Sequence, residues 1–338
     1  MKKITTLFLF AGLIITVSCK KSSTPTPAPI PVPNPTVTTP LITLPAGWKF
    51  NSTLSANFPL GSMQVYRFDT VWAGRTTKAV CLVYNSANTG IEFKPVLSAT
   101  AKKPTEFFAQ ETGVYACING GYYGGNQSFS LVKYNNTVSA ANIKLVNRTF
   151  NGTSTPYYPT RVAFGVTSSG VPSINWIYSV GAGNDNIYSY PAPSPNVDGQ
   201  APQAEPTASF PSGGSVWNVA SAIGGSPMLV KNNAVNISDV AELISINNTT
   251  SRPRSAIGYT ANGMVVILVV EGDNAAGGYV GMNLVELADM MRSLSCTNAM
   301  NLDGGGSSMM VIGSQQVIRP GDAAGERPVI SAIVIRQR

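Results

Sequence analysis

The sequence predicts an α+β fold: a single β-rich domain of mixed or antiparallel twisted sheets, with a few helices and a functional site at strand ends. Short apolar runs rich in β-branched and aromatic residues recur along the chain, which is typical of strands. Only 12% of the 338 residues are charged, whereas Asn, Ser, Thr and Gly are frequent, as expected when turns join many short strands. A clear helical period is confined to one segment, so helices are the minor component.

Seven runs are predicted as strands from their apolar patterns. They are residues 64–69, 79–84, 113–118, 162–166, 227–231, 264–270 and 329–335. Residues 79–84 are continuously apolar, which predicts a fully buried strand, and residues 264–270 form the strongest core strand because β-branched residues dominate them. Between 185 and 215 the pattern gives way to Pro, Ser, Ala and Gly, which predicts a surface excursion or insertion bordering the site.

One helix is predicted to begin after Asn283. The apolar residues Leu284, Leu287, Ala288, Met291 and Leu294 share one helical face. Asn283 and Glu286 have the spacing of a capping box, so we interpret Glu286 as closing the helix rather than as a catalytic acid. A second helix is predicted to begin at Pro104 or Thr105.

Residues 1–19 predict an export signal. Lys2 and Lys3 precede an apolar stretch that is too short to cross a membrane as a helix. The stretch ends at Thr16-Val-Ser-Cys19, which resembles a bacterial lipobox, whose Cys becomes the lipidated first residue. Ordinary signal cleavage near the same place is the alternative.

Residues 20–44 are rich in Pro and Thr and predict an extended tether, which leaves residues 45–338 as the folded domain. The predicted location is the bacterial cell envelope, either the periplasm or the outer-membrane face, with the protein anchored to the membrane through Cys19. Removal of Lys2 and Lys3 lowers the formal charge from +7 to +5, which suits an anionic ligand. No Lys/Arg-dense patch is present, so we predict no nucleic-acid partner.

The absence of histidine narrows the chemistry of this chain. It excludes Ser-His-Asp and Cys-His nucleophile systems and histidine metal sites, so proton transfer would fall to Asp, Glu, Tyr, Lys or water.

Besides Cys19, the cysteines are Cys81, Cys117 and Cys296, which allow at most one disulfide. Their spacing matches no metal motif, and three buried apolar cysteines are the favoured interpretation.

The most informative stretch is Asn301-Leu-Asp-Gly-Gly-Gly-Ser-Ser308. Three successive glycines indicate a backbone that approaches a ligand closely, with N–H groups turned toward an anion and Asp303 at the edge of that concavity. A flexible surface turn is the alternative, but the flanking residues are apolar, which is unusual for an exposed loop.

Four other segments carry residue types that are unusual without a function. They are residues 119–123, 224–228, 252–254 and 271–274. Placed at strand ends with Asp303, they would form a cleft of arginines, carboxylates, an Asn and backbone N–H groups. The guanidinium group of arginine binds phosphate or carboxylate through two parallel bonds, and a desolvated carboxyl has a raised pKa.

Arg161-Val-Ala-Phe-Gly165 and Arg254-Ser-Ala-Ile-Gly258 share the motif R-x-A-[FI]-G. The match is either chance or the mark of two related strands that each direct an arginine into one cleft.

In this order the segments resemble the phosphodiester glycosidase family. The matching stretches are residues 119–123, 224–227, 254–258, 271–272, 284–288, 301–308 and 327–329. The resemblance implies hydrolysis of a sugar-1-phosphodiester, of the N-acetylglucosamine type, at the glycosidic C1–O bond. Glu271 departs from the pattern, because relatives more often carry Asp there and the reach of the side chain differs by one methylene.

The resemblance also implies roles for individual residues. Asp303 and Glu271 are the expected catalytic carboxylates, and Arg254 and Arg327 the expected phosphate ligands. The further expected substrate-binding residues are Asn119, Gly120, Gly304, Gly305, Gly306, Ser307 and Ser308. No cofactor is expected to be required, although a Ca²⁺ or Mg²⁺ ion near Glu271, Asp273 and Asp303 stays open.

Each expected role has a competing structural one, and two other functions stay open. Arg327 would otherwise pair with Glu326 or a surface acid, and Asp303 with the N–H groups of its own turn. The first alternative function is a non-catalytic glycan-binding lipoprotein, with stacking aromatics drawn from Tyr122, Tyr123, Trp176 and Trp217. The second is a metal-dependent phosphodiesterase that cleaves the P–O bond instead of C1–O.

Overall fold

The structure is a computed structural model that describes residues 39–273 and 277–338. The predicted export signal, Cys19 and most of the predicted tether therefore lie outside the described residues. None of the helices in these two ranges combines the length and apolar character needed to cross a membrane. Residues 39–44 lie against the domain: Ile42 is buried, and the Leu41 N–H donates to Gln64 Oε1 and to the Tyr66 hydroxyl at 3.0 and 2.9 Å.

Short strands make up most of the described chain. In order they are β1 (Trp48–Phe50), β2 (Met63–Trp72), β3 (Arg75–Asn85), β4 (Ile91–Lys102), β5 (Val114–Asn119), β6 (Tyr123–Gly124), β7 (Gln127–Ser128), β8 (Val132–Tyr134), β9 (Thr137–Ala140), β10 (Val146–Phe150), β11 (Thr153–Tyr157), β12 (Arg161–Val166), β13 (Pro172–Ser179), β14 (Ile187–Tyr190), β15 (Ser215–Val216), β16 (Ser221–Gly224), β17 (Met228–Lys231), β18 (Ala234–Val235), β19 (Arg254–Thr260), β20 (Met264–Val270), β21 (Cys296–Asn301), β22 (Met310–Ile312), β23 (Gln315–Gln316) and β24 (Val329–Gln337). The α-helices are α1 (Ser52–Ser55), α2 (Pro104–Gln110) and α3 (Leu284–Ser293). Each of the seven predicted strands overlaps an observed one, and both predicted helices are present.

Three antiparallel sheets form the body of the domain. The eight-stranded sheet has the order β1-β2-β3-β20-β19-β21-β17-β18, the seven-stranded sheet β15-β14-β13-β12-β16-β8-β9, and the five-stranded sheet β23-β22-β5-β24-β4. Two short ribbons, β10-β11 and β6-β7, complete the pairing. Among the residues that the structure describes, strands account for 44% and helices for 8%, which confirms the β-rich, antiparallel part of the predicted fold class.

The central strands of the eight-stranded sheet are buried on both faces. Alternate residues of β20 enter two different cores: Ile267 joins the core shared with the other two sheets, whereas Leu268 joins the core beneath α3. A strand covered on both faces has no solvent-facing positions, which is why residues 264–270 are continuously apolar.

Helix α3 begins as its sequence predicts. Asn283 Oδ1 accepts from the Glu286 N–H at 2.9 Å, and Glu286 Oε2 accepts from the Asn283 N–H at 3.1 Å, so the capping box is confirmed. The Glu286 carboxylate also pairs with Arg75. Its role is therefore structural.

The three cysteines in the described part of the chain are buried free thiols, as the sequence interpretation favoured. Cys81 and Cys296 belong to the core beneath α3, whereas Cys117 belongs to the core on the other side of the eight-stranded sheet. Burial raises the pKa of all three thiols well above its usual value, so they remain protonated at neutral pH.

Gly121 packs two of the functional segments against each other. A Cβ atom at this position would lie 2.4 Å from the Gly224 carbonyl oxygen and 2.4 Å from Ser130 Cβ. We expect Gly121→Ala to lower the free energy of unfolding by about 2 kcal/mol or more in urea denaturation, because overpacked sites must shift backbone. Gly183→Ala is the matched control, since a Cβ atom added there would have no neighbour within 4 Å and its change should stay within about 0.5 kcal/mol. Equal midpoints for the two variants would contradict this packing.

Candidate active site

Several strand ends meet at one edge of the eight-stranded sheet. β19 begins at Arg254, which pairs with Val270 at the end of β20, and β21 ends beside them at Asn301. A cleft of about 360 Å³ opens at this edge. It is lined by Tyr122, Ile246, Asn247, Arg252, Arg254, Asp273, Asp303, Gly304, Gly305, Gly306, Asp322 and Arg327. The structure thus brings Asp303, Arg254 and Arg327 together, whereas residues 185–215 and 224–228 contribute nothing to this lining.

Asp303 lies at the start of the glycine turn, held by its backbone and its side chain. Its carbonyl oxygen accepts from Asn119 Nδ2 at 2.8 Å, its N–H donates to the Gly120 carbonyl at 3.2 Å, and its Oδ1 accepts from the Gly304 N–H at 2.9 Å. Burial raises the pKa of this carboxyl to about 6, although hydrogen bonds from Ser307 and Gly304 and the charge of Arg327 oppose the rise. Asp303 can therefore exchange a proton near neutral pH.

Each of the three positions favours glycine for a different reason. At Gly304 a Cβ atom would lie 3.1 Å from the Pro253 carbonyl oxygen. Gly305 has φ of +60°, a left-handed backbone that favours glycine, and a side chain there would project into open space. At Gly306 a Cβ atom would lie 2.2 Å from Asp322 Oδ1 and 2.4 Å from an Arg327 nitrogen. Glycine at this position therefore lets an acid–arginine pair close over the turn.

The backbone donors of the turn are mostly used internally. Gly305 N–H donates to the Pro253 carbonyl at 2.8 Å, and the Ser307 and Ser308 N–H groups donate to Gly304 and Gly305 at 3.2 and 3.1 Å. The Gly304 N–H is held by Asp303 itself. The expectation that this row of N–H groups is turned toward a phosphate needs correction, because the turn closes on itself as a 3-10 helix over Gly305–Ser307.

Arg254 is buried, with 1% of its surface exposed, and its guanidinium is bonded to backbone carbonyls. Nε donates to the Met282 carbonyl at 2.9 Å. The terminal nitrogens donate to the carbonyls of Ile246, Asn247 and Thr250 at 3.2, 2.8 and 3.0 Å. Arg254 therefore supplies positive charge to the cleft while its forked donors hold the 246–250 segment, which differs from the expected bidentate grip on a phosphate.

Two other arginines line the cleft with Asp303. Unlike Arg254 they are exposed, and each pairs with an aspartate. Arg327 binds Asp322 through two bonds of 2.7 and 2.8 Å, and Arg252 reaches Asp273 at 3.2 Å. The predicted alternative of a surface acid as the partner of Arg327 is thus observed, although the acid is Asp322 rather than Glu326. In contrast to these two aspartates, Asp303 makes no ion pair within the described part of the chain.

Asn119 and Gly120 lie beneath the cleft instead of inside it. Asn119 has no exposed surface, and its Oδ1 accepts from the Ser255 hydroxyl at 2.7 Å and from the Met309 N–H at 3.2 Å. A Cβ atom on Gly120 would lie within 3 Å of the Ser331 backbone. The expectation that these residues contact substrate is therefore corrected: they position the backbone of Asp303.

Glu271 lies outside the lining of the cleft. Its carboxylate is buried, pairs with Lys78 at 2.8 Å and accepts from the Arg319 N–H at 3.1 Å. Asp273, two residues later, lines the cleft in its place. The structure thus does not bring the two expected catalytic carboxylates face to face.

Sequence reasoning missed Glu242, a buried carboxylate that accepts five hydrogen bonds. It accepts from the N–H groups of Val162 and Met228 at 3.1 and 2.9 Å, from Trp176 Nε1 at 3.0 Å, and from the Ser226 and Ser238 hydroxyls. Burial raises its pKa, and these donors oppose the rise. No local pattern marks Glu242, because all its partners except Ser238 come from three other segments of the chain, at Val162, at Trp176 and at 226–228.

The repeated R-x-A-[FI]-G motif has a structural counterpart. Arg161 begins β12 and Arg254 begins β19, and Arg161 donates to the Leu243 carbonyl at 3.3 Å. Both arginines thus reach residues 243–250 from different sheets. They support the segment that forms one side of the cleft.

The candidate stacking aromatics divide into two groups. Trp176 and Trp217 are buried, with 2% and 6% of their surface exposed, so neither ring can meet a sugar. Tyr122 lines the cleft, and its hydroxyl donates to the Ser226 carbonyl at 2.5 Å.

No cluster of three or more His, Cys, Asp or Glu side chains with metal-binding geometry occurs among residues 39–273 and 277–338.

Asp303→Asn should stabilise the fold at high pH. A carboxyl whose folded pKa is raised from 3.8 to about 6 makes the folded state less stable as pH rises through that range. Above pH 6 the amide variant should unfold with a free energy up to about 3 kcal/mol higher than the parent, and below pH 4 the difference should vanish. Urea denaturation at pH 4 and pH 8 measures both values, and equal stability at pH 8 would show that the pKa of Asp303 is not raised.

A titratable carboxyl beside three guanidinium groups is an arrangement typical of enzymes that act on anionic substrates. A family model described as phosphodiester glycosidase matches residues 112–336. The chain belongs to the phosphodiester glycosidase family, and the family predicted from the sequence is confirmed.

The individual relatives agree with this family. The chain is 31% identical over 111 residues to the N-acetylglucosamine-1-phosphodiester alpha-N-acetylglucosaminidase of Bos taurus and 33% identical over 69 residues to that of Mus musculus. These matches cover 32% and 20% of this chain, and 20% and 13% of the relatives. They therefore span only a small part of the relatives' length.

Solved structures support the fold. The zebrafish N-acetylglucosamine-1-phosphodiester alpha-N-acetylglucosaminidase catalytic domain, auto-inhibited by its pro-peptide, superposes with a TM-score of 0.56 at 15% identity, covering 86% of this chain and 88% of that one. A putative exported protein from Burkholderia pseudomallei gives 0.52 at 16% identity, with 79% and 75% covered.

Proposed function

We propose that this protein hydrolyses the glycosidic C1–O bond of a sugar-1-phosphodiester, with N-acetylglucosamine-1-phosphodiesters as the first candidate substrates. The observation that carries the proposal is Asp303: a carboxyl with a pKa near 6 in a cleft whose other charged groups include three arginines. Family membership supports the same substrate class.

The leaving group explains why such a cleft suffices. Water adds its oxygen to C1, the bond from C1 to the phosphate oxygen breaks, and a phosphate monoester departs. Its second pKa is about 6, so it leaves as an anion without a strong general acid. The transition state carries positive charge on the sugar ring, which a nearby carboxylate stabilises.

Each charged group has a role under this proposal. Asp303 acts as the base or the nucleophile, because no arginine in the described ranges pairs with its carboxylate. Arg252 and Arg327 are 41% and 43% exposed and contact the phosphate, with Asp273 and Asp322 orienting them. Arg254 contributes its charge and holds the cleft wall.

Hydrolysis in oxygen-18 water tests which bond breaks. Label in the sugar supports glycosidic cleavage, whereas label in the phosphate would show a phosphodiesterase and overturn the proposal. The substrate series should begin with α-N-acetylglucosamine-1-phosphate esters. We expect turnover to persist in EDTA, and its loss with recovery on adding Ca²⁺ or Mg²⁺ would establish a metal requirement.

We propose further that the protein is an exported lipoprotein anchored through Cys19 in the cell envelope. The support is the charged start, the short apolar stretch and the Thr16-Val-Ser-Cys19 motif. Expression in a bacterial host with an alkyne-tagged fatty acid should label the full chain and leave the Cys19→Ala variant unlabelled. Equal labelling of both, or of neither, would contradict lipidation at Cys19.

A further inference from the structure

Another pocket, of about 500 Å³, lies at the edge of the eight-stranded sheet. Its polar lining consists of Lys49, Asn51, Ser52, Arg67, Asp69 and Thr70. These residues belong to β1, β2 and the start of α1, and none of them lines the Asp303 cleft. The volume falls within the usual range for small-molecule pockets, about 300–1,000 Å³. The pocket is therefore separate from the site already described and large enough for a ligand.

Two cations face each other in this pocket. Lys49 of β1 lies directly opposite Arg67 of β2, and both residues are exposed. Like charges at directly opposed positions destabilise a pair of strands, because their Cβ atoms are only about 4.5–5.5 Å apart. Neither side chain makes an ion pair or a hydrogen bond among the residues that the structure describes. No group of the fold thus offsets the repulsion, whereas an anion bound between the two cations would.

Protection of the sheet edge accounts for only one of the two cations. An exposed Lys on an edge strand prevents pairing with a second chain, and β1 is the edge strand, so Lys49 can have that role. Arg67 lies in β2, which is hydrogen-bonded to β1 on one side and to β3 on the other. A cation at that position protects no edge, and Arg67 therefore needs another explanation.

The pocket also contains one carboxylate. Asp69 lies two residues from Arg67 on the same face of β2, and its Oδ1 accepts from the Tyr279 hydroxyl at 3.1 Å. Two cations and one carboxylate leave the lining with a formal charge of +1. The cations suit a phosphate group, and the remaining acceptor positions of Asp69 suit hydroxyl groups. This combination matches a sugar phosphate better than a simple anion.

The strand register relates the pocket to the Asp303 cleft. Trp48 lies in the same row of the sheet as Arg254, and the paired residues Val270, Ala79 and Phe68 connect them. Four spacings between neighbouring strands put the ends of this row roughly 19 Å apart. The two opposed cations directly follow Trp48 and directly precede Phe68 in the chain. The pocket and the cleft therefore lie at the same end of the strands, separated by roughly the width of four strands.

We propose that Lys49 and Arg67 bind a second phosphate group of the substrate, which makes the substrate a chain of sugars joined by several phosphodiesters. The inference rests on the proposed function, which puts the phosphodiester to be cleaved beside Asp303. A single sugar-1-phosphodiester bound there does not reach the pocket, whereas a chain of such units along the end of the sheet does. Both cations lie outside residues 112–336, which the family model matches, so family membership does not assign them this role.

The affinity of two ligands for the full chain tests this site. Asp303→Asn is the background, so that neither ligand is cleaved. One ligand is the methyl ester of α-N-acetylglucosamine-1-phosphate, and the other is an octamer of α-N-acetylglucosamine units joined by 1-phosphodiesters. In calorimetry, Lys49→Gln with Arg67→Gln should weaken octamer binding about 5–30-fold, as expected for two exposed charge contacts. Binding of the methyl ester should not change.

Two further variants separate the site from net charge. Lys133→Gln with Arg338→Gln removes the same charge from residues that line neither the pocket nor the cleft, and should leave octamer binding unchanged. Exchange of the cations, Lys49→Arg with Arg67→Lys, should retain most of the affinity. An equal loss in the Lys133 and Arg338 variant would show a general effect of charge and overturn the proposal.

Octamer binding that does not depend on Lys49 and Arg67, or no octamer binding at all, would also overturn it. The two cations could instead serve a membrane surface. If their removal weakened binding to phosphatidylglycerol vesicles but not to the octamer, they would belong to such a surface and the proposal would be wrong. Turnover of the methyl ester by the parent is measured separately. Its absence would refute the proposed function, while the octamer comparison still decides whether this pocket binds phosphate.

Discussion

Asp303→Asn should lower kcat for a sugar-1-phosphodiester by about 10²–10⁴-fold, the usual contribution of a positioned acid or base. The amide keeps the shape of the carboxyl and can still accept from the Gly304 N–H, which Oδ1 now does at 2.9 Å. It cannot take up a proton, attack C1 or carry the negative charge that stabilises the sugar cation. The ionised form of Asp303 is the active one, and the pKa of this carboxyl is about 6. The activity of the parent should therefore rise as pH increases through about 6.

Asp322→Asn is the control for this result. Asp322 lines the same cleft, but its carboxylate is fully used in the bidentate pair with Arg327. We expect kcat to stay close to that of the parent and any change to appear in KM, since Arg327 keeps its charge and only its partner changes. Full activity of Asp303→Asn, or an equal loss of kcat in both variants, would remove Asp303 from the centre of the mechanism.

Arg254→Leu should lower the free energy of unfolding by about 4 kcal/mol or more. The change removes the partner of four backbone carbonyls, and each acceptor left buried without a donor costs about 1–3 kcal/mol. Urea denaturation measures the loss, and proteolysis near residues 246–250 should report the release of that segment. Arg254→Lys should recover only part of the stability, because one ammonium cannot span four carbonyls.

Arg252→Leu provides the contrast from two residues away. Arg252 is exposed and makes a single 3.2 Å contact with Asp273, so its loss should change stability by less than about 1 kcal/mol. Under the proposed function it should raise KM for the phosphodiester. Similar stabilities for the Arg254 and Arg252 variants would refute the structural role of Arg254.

Strands and caps could be predicted because their signals are local. The seven apolar runs and the Asn283–Glu286 capping box depend on neighbours within a few residues, and the structure reproduces them. The glycine turn at Asp303 was also recognisable from residue types alone. What the pattern left open was the direction of each N–H group, because that depends on Pro253 and on the closure of the turn.

The position of Glu271 outside the cleft lining has a geometric cause. Glu271 and Asp273 follow the same strand, and from sequence either can be placed in the cleft. Asp273 has φ of 51°, and this left-handed residue redirects the chain, so Asp273 lines the cleft while Glu271 stays buried against Lys78. A one-residue change of backbone direction is invisible to residue composition.

Asp322 and the partners of Arg254 were missed for a different reason. Asp322 lies in an irregular loop, and only its bond to Arg327 distinguishes it from any surface acid. The carbonyls that Arg254 binds belong to loop residues whose side chains play no part in those bonds. Recognition of backbone by a side chain leaves no mark in the sequence.

The pairing of Arg327 with Asp322 makes anion capture a competition. Asp322 already occupies the Nε–H and one Nη2–H of the guanidinium, so an arriving phosphate bonds to the remaining N–H groups and shares the positive charge with a carboxylate. Inorganic phosphate and the released monoester should accordingly be weak inhibitors, and the sugar must provide much of the affinity. The Asp322 carboxylate would also speed release of the phosphate product and so free the site for the next substrate molecule.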